Sequence, residues 1–183
     1  MEIIKTEIEG LLIIEPRIFS DARGYFFESF SEREFCAEVD ECHFVQDNEA
    51  KSSYGVVRGL HFQLPPHAQS KLVRVAKGRI LDVAVDIRKS SPTFGKYVAV
   101  ELSSENHRQI FIPRGFAHGY SVLSEEAVVG YKCDNYYAPQ SEGAIAWDDA
   151  ALAIDWQIPA DRVVLSAKDK NHLTLAECET LFE

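Results

Sequence analysis

Apolar and polar side chains alternate with a period of two through much of the chain. Leu81, Val83, Val85 and Ile87 alternate with Asp82, Ala84 and Asp86, and Val98, Val100 and Leu102 repeat the pattern. A period of two places one set of side chains on each face of a pleated strand, so these stretches predict half-buried strands. Residues 10–16 form an apolar run ended by Pro16, and residues 25–30 an aromatic run with Glu28 as its one charge. Residues 44–48, 56–62, 71–76, 109–112, 119–123 and 127–132 are further extended candidates. Turn signals at 20–24, at Pro65-Pro66 and at Lys77-Gly78 separate them. Ser31-Glu-Arg-Glu34 fits a capping box and predicts a short helix to about Val39. The C-terminal third is different: residues 147–149 and 154–156 are irregular, with turns and a short helix expected between Lys168 and Leu181. Short strands at intervals of about 8–12 residues predict an all-β sandwich or barrel. No internal repeat or linker divides the chain, so one domain over residues 1–183 is expected.

Composition narrows the function classes. Nineteen Lys and Arg against 29 Asp and Glu give a net charge of −10, which argues against a general nucleic-acid binder. Within that acidic background Arg58, Lys71, Arg74, Lys77 and Arg79 make a positive island, suited to an anionic small molecule or to solvated strand ends. No basic segment followed by an apolar run opens the chain, and no apolar run approaches the roughly 20 residues of a membrane helix. Cys36, Cys42, Cys133 and Cys178 lack the spacing of a zinc site or a disulfide framework and read as reduced thiols. A cytoplasmic location is expected.

Two glycine–histidine stretches carry the candidate chemistry. Gly55-x5-His61 and Pro113-x-Gly115-x-x-His118 match the ends of the two motifs of cupin jelly rolls. The cupin metal set does not follow. Gln63 stands where a second histidine is expected, no glutamate ligand follows, and Lys71 lies nearby. A divalent transition metal wants about three converging ligands, and an ammonium repels it. A strand histidine is otherwise a satisfied core residue or a proton carrier, and an imidazole titrates near cellular pH. His61, Lys71 and Tyr131 all fall in predicted strands and can point into one barrel; spacing alone leaves the core reading open. His43, His67, His107 and His172 lie in polar contexts and read as surface residues.

Seven segments together point to a family. They are residues 21–30 (DARGYFFESF), Gln46-Asp-Asn48, residues 57–63 (VRGLHFQ), residues 71–75 (KLVRV), residues 112–119 (IPRGFAHG), Tyr131-Lys132 and residues 134–139 (DNYYAP). In this order and spacing they closely resemble the dTDP-4-dehydrorhamnose 3,5-epimerases, over nearly the whole chain. The resemblance implies a cupin-type jelly-roll β-barrel or sandwich with a few short helices, a homodimer and no metal or other cofactor. It implies a dTDP-4-dehydro-6-deoxy-D-glucose substrate on the route to dTDP-L-rhamnose. Position by position, it makes His61 the base, Asp169 its paired carboxylate, Tyr131 the general acid and Lys71 the cation near the keto oxygen. Arg23, Glu28, Gln46, Asp47, Asn48, Arg58, His118, Glu142 and Lys168 match substrate-contacting positions, and Tyr137 matches the aromatic that stacks on thymine.

The residue types suit that chemistry. C3 and C5 flank a C4 ketone, so both C–H bonds are acidified. Proton removal sends charge to O4, where a lysine stabilises it, and protonation on the other face inverts the centre. Arg23 and Arg58 would grip the diphosphate as planar forks. The rivals are an epimerase for C3 or C5 alone, a ketoisomerase on the same scaffold, and a non-catalytic cupin that binds a sugar nucleotide.

Overall fold

The alternating stretches fold as strands in the computed structural model, which describes residues 1–183. Thirteen strands form: β1 (Glu2–Lys5), β2 (Leu12–Glu15), β3 (Phe19–Asp21), β4 (Gly24–Phe26), β5 (Gln46–Ser53), β6 (Val57–Gln63), β7 (Lys71–Lys77), β8 (Arg79–Asp86), β9 (Tyr97–Ser103), β10 (Gln109–Ile112), β11 (Phe116–Val122), β12 (Glu126–Cys133) and β13 (Glu142–Ala144). One sheet has the order β1-β2-β10-β7-β12-β5 and the other β13-β6-β11-β8-β9, while β3 and β4 form a separate hairpin. All pairs between these strands are antiparallel. The two sheets pack face to face as a jelly-roll sandwich and do not close into one barrel.

Three apolar clusters hold the layers. Between the sheets, Val73, Val75, Ile110 and Val129 meet Ile80, Val100, Leu102 and Val122. Outside the five-stranded sheet, Leu81, Val83, Val85 and Ala117 are covered by Leu152, Trp156 and Leu181 from the C-terminal tail. Outside the six-stranded sheet, Ile14, Leu72 and Phe111 are covered by Phe35. Burying one such side chain stabilises by about 1.5–3 kcal/mol. An exposed ion pair such as Arg79–Glu101, at 3.7 Å, contributes at most ~1 kcal/mol. The clusters therefore dominate.

The tail explains one departure from expectation. β8 is buried on both faces, Arg79 excepted, so Asp82 and Asp86 are not on a solvent face. Each is buried with partners: Asp82 faces His118, and Asp86 accepts from Arg88, Ser91 and Thr93. The helix α1 (Glu32–Glu38) occurs where expected, but Ser31 makes no side-chain cap, so the capping box does not form. Seven residues cannot hold a helix alone. Phe35 anchors it instead, edge-on to Phe111 at 5.2 Å. The expected aromatic strand shortens to β4, leaving 27–30 outside it, and the short helical turn of the tail is Leu175–Glu177. No helix is long and apolar enough to cross a membrane.

Candidate active site

A cavity of about 250 Å³ opens between the sheets, where β5, β7 and β12 face β6 and β13. Register places its walls. Cys133 pairs with both Lys71 and Gln46, and Tyr131 pairs with both Val73 and Asn48. With side chains alternating across a strand, Gln46, Asn48, Lys71, Tyr131 and Cys133 all face inward. Leu72, Arg74, Asp47 and Lys132 take the outer face. The positive island is thus split: Lys71 turns in, Lys77 pairs with Glu126, and Arg79 pairs with Glu101.

His61 enters from the opposite sheet. Its strand crosses β11 very closely at Gly59, whose φ is +127° and where a Cβ would lie 2.5 Å from Gly119 Cα. The pairing shifts register between His118 and Tyr120, and His61 lies opposite His118. His61 Nε2 is 2.6 Å from Asp169 Oδ1. An ionised carboxylate only accepts, so Nε2 carries the proton and Nδ1 keeps the lone pair. Ser166 Oγ donates to Asp169 Oδ2 at 2.7 Å, and the Asp169 amide donates back to Ser166 Oγ at 3.1 Å. Burial pushes the Asp169 carboxyl up, but the Ser166 hydroxyl and His61 outweigh it, and the net shift is down. Burial lowers the His61 pKa, and Asp169 offsets only part of that, which keeps the imidazole neutral at pH 7.

Across the cavity, burial lowers the Lys71 pKa, opposed by Cys133, Asp82 and Glu142. Its ammonium lies 5.9 Å from the Tyr131 ring centroid. Burial raises the Tyr131 phenol pKa, helped by Cys133 and Tyr120 and opposed by Arg58, so the hydroxyl is held protonated. At the mouth, Tyr137 Oη donates to Glu142 Oε2 at 3.0 Å and Lys168 Nζ binds the same oxygen at 2.5 Å. The Tyr137 amide donates to Gln46 Oε1. Gln63 is fully engaged: it donates to the carbonyls of His67 and Tyr136 and accepts from the Ala138 amide, bracing two loops.

Of the residues singled out in the sequence, His61, Lys71, Tyr131, Gln46, Asn48, Tyr137 and Glu142 line this cavity, with Asp169 and Lys168 bonded to its walls. The others lie elsewhere within the single chain. His118 is buried behind His61 and bonded to Asp82 at 2.9 Å. Asp47 pairs with Lys132 on the outer face. The exposed Arg58 donates to Ser52. Arg23 is 91% exposed and pairs with Asp21, and Glu28 borders an apolar groove beyond the six-stranded sheet. Two residues were missed. Ser166 stands three before Asp169, a spacing that signals a side-chain turn. His172, read as a surface residue, is instead largely buried with its ring edge-on to His61.

Comparisons with known proteins identify the family. The family model for dTDP-4-dehydrorhamnose 3,5-epimerase matches residues 5–177. The dTDP-4-dehydrorhamnose 3,5-epimerase of Shigella flexneri is 55% identical over 172 residues, covering 93% of this chain and 94% of that protein. A crystal structure of the Legionella pneumophila dTDP-6-deoxy-D-glucose-3,5-epimerase in complex with dTDP-4-keto-L-rhamnose superposes with a TM-score of 0.94 at 49% identity, covering 97% and 94% of the two chains. A 3'-monoepimerase from Streptomyces bikiniensis, in complex with dTDP-quinovose, superposes with a TM-score of 0.86 at 35% identity, covering 93% and 86%. With a family model spanning nearly its whole length and a relative more than half identical, the chain belongs to the dTDP-4-dehydrorhamnose 3,5-epimerase family.

Proposed function

We propose that the chain inverts C3 and C5 of dTDP-4-dehydro-6-deoxy-D-glucose, giving dTDP-4-dehydro-L-rhamnose, with its own side chains as the only catalysts. The observation that carries this is the His61–Asp169 pair at 2.6 Å in a cavity shared with Lys71 and Tyr131. His61 Nδ1 takes the C–H proton. Asp169 holds the ring and balances the imidazolium. Negative charge moves through the enolate to O4, where Lys71 stabilises it. Tyr131 delivers its phenolic proton to the opposite face, and the carbon inverts. The lowered His61 pKa and the raised Tyr131 pKa support these roles, because each group begins in the protonation state that its step requires.

Tyr137 stacks on the thymine in this reading, with Gln46, Asn48, Glu142 and Lys168 around the nucleotide sugar. Arg23, Glu28, Asp47, Arg58 and His118 are substrate contacts by family resemblance alone, and Arg23 and Glu28 lie on the N-terminal segment rather than at the cavity. That segment exposes Phe19, Tyr25 and Phe26 and borders an apolar groove of about 380 Å³. Such a surface supports a homodimer in which it packs on a second copy. Light scattering that finds a 20.6 kDa species at micromolar concentration contradicts the dimer.

Incubation with dTDP-4-dehydro-6-deoxy-D-glucose in deuterated water, followed by NMR, tests the reaction. Deuterium at both C3 and C5 of an inverted product is expected. Deuterium at C3 alone replaces this reading with that of a 3'-monoepimerase, as the Streptomyces bikiniensis relative is named.

A further inference from the structure

His172 is unused by the proposed reaction, yet the tail holds it at the base. Its Nε2 is buried and makes no hydrogen bond. It lies 3.4 Å from Asp169 Oδ1, close but not aligned for donation. Its ring stands at 89° to that of His61, with centroids 5.9 Å apart. His61, Asp169 and His172 each present one ligand atom, and the three atoms lie within 4.8 Å of one another.

We infer that these three side chains form an inhibitory site for a divalent transition metal such as zinc. Two imidazoles and a carboxylate are a donor set for zinc, cobalt, nickel or copper. Zinc bonds of about 2.0–2.2 Å in a tetrahedron hold ligand atoms roughly 3.4 Å apart. His172 Nε2 and Asp169 Oδ1 already have that separation. His61 Nε2 and Asp169 Oδ1 are closer, at 2.6 Å, because a proton bridges them. A metal replaces that proton and spreads the pair by less than an ångström. Asp169 and His172 lie on one irregular stretch of the tail, which yields more easily than a sheet. The fourth position is left to water. Lys71 opposes the cation while Asp169 and Glu142 attract it, so the metal binds reversibly, as an inhibitor rather than a resident cofactor. This ligand set differs from the cupin set, whose second histidine position is Gln63.

Inhibition follows from the tautomer, and that step rests on His61 being the base. Free His61 carries its proton on Nε2 and its lone pair on Nδ1. A metal on Nε2 needs the ring's lone pair at that nitrogen, so the ring's proton moves from Nε2 to Nδ1. No proton is gained or lost by the ring, but no lone pair remains for the substrate.

The test adds Zn²⁺ and Co²⁺ to EDTA-washed protein, with His172→Asn beside wild type. Wild type is expected to lose turnover with added Zn²⁺, to regain it with EDTA, and to give the visible absorption of four-coordinate Co²⁺. Measured against its own metal-free turnover, His172→Asn should need at least about tenfold more Zn²⁺ for the same fractional inhibition, and it should lose the Co²⁺ band. Ring ¹⁵N shifts of His61 and His172 on Zn²⁺ addition report the same contact without a variant. Unmoved ring shifts, or equal metal sensitivity in both proteins, overturn the site. Binding that depends on His172 but leaves turnover intact upholds the site and contradicts His61 as base.

Discussion

Two histidine–aspartate pairs sit on paired strands, one next to the other. His118 lies opposite His61 across β6 and β11. His61 meets Asp169 at 2.6 Å and His118 meets Asp82 at 2.9 Å, so the contacts are alike. Their surroundings are not. The His61 side chain is 29% exposed and borders a cavity, whereas that of His118 is 8% exposed. Asp169 comes from the tail with its second oxygen held by Ser166. Asp82 comes from mid-strand with Oδ1 unpartnered. The pair alone does not make a base. In the proposed reaction a base also needs a free nitrogen facing the cavity and a carboxylate whose position is fixed on both sides. The first pair fits that proposal, and the second is a buried hydrogen bond within the sandwich.

The largest effect that would break this contrast belongs to His61. His61→Ala should lower turnover and deuterium exchange at both carbons by about 10²–10⁴, the usual contribution of a general base. Kinetics near wild type would assign the base to another residue. Asp169→Asn should lower kcat by roughly 10², because the amide no longer holds the reactive tautomer or balances the imidazolium. It should also move the pH profile. Burial sets His61 below its ordinary 6.5, and Asp169 raises it. The neutral base is therefore present at pH 7 and lost as pH falls through the lowered value. Without the Asp169 charge that value falls further, so the acid limb of kcat/KM should shift to lower pH; a shift to higher pH contradicts the pairing. Asp82→Ala should act on the fold instead. It leaves the buried His118 without its partner and should cost about 1–3 kcal/mol in urea unfolding, with kcat little changed. Unchanged stability with a collapsed kcat would place the second pair in the chemistry.

Much of this was legible in the sequence because strand periodicity is local. The β9 stretch follows from side-chain alternation, and β7, β10 and β12 fall on the further extended candidates, where the pleat turns Lys71 and Tyr131 inward. What was not legible depends on contacts far along the chain. Asp82 and Asp86 look like solvent-face residues until Leu152, Trp156 and Leu181 cover the other face of β8. The Ser31 cap does not form, and Phe35 packing on Phe111 holds the helix instead. His172 looks like a surface residue because its neighbours in sequence are polar, yet the tail folds it against His61. The positions of Arg23 and Glu28 follow from neither periodicity nor the fold of one chain.

The most direct test of the account separates proton removal from proton delivery. Tyr131→Phe keeps the ring and deletes the hydroxyl across the cavity from His61. The measurement is deuterium incorporation at C5 against inversion at C5, read by NMR in the same tube. With His61 still removing and returning the proton on its own face, exchange should persist while inversion falls. Loss of both to the same degree, or inversion at the wild-type rate, would contradict the division of labour between His61 and Tyr131.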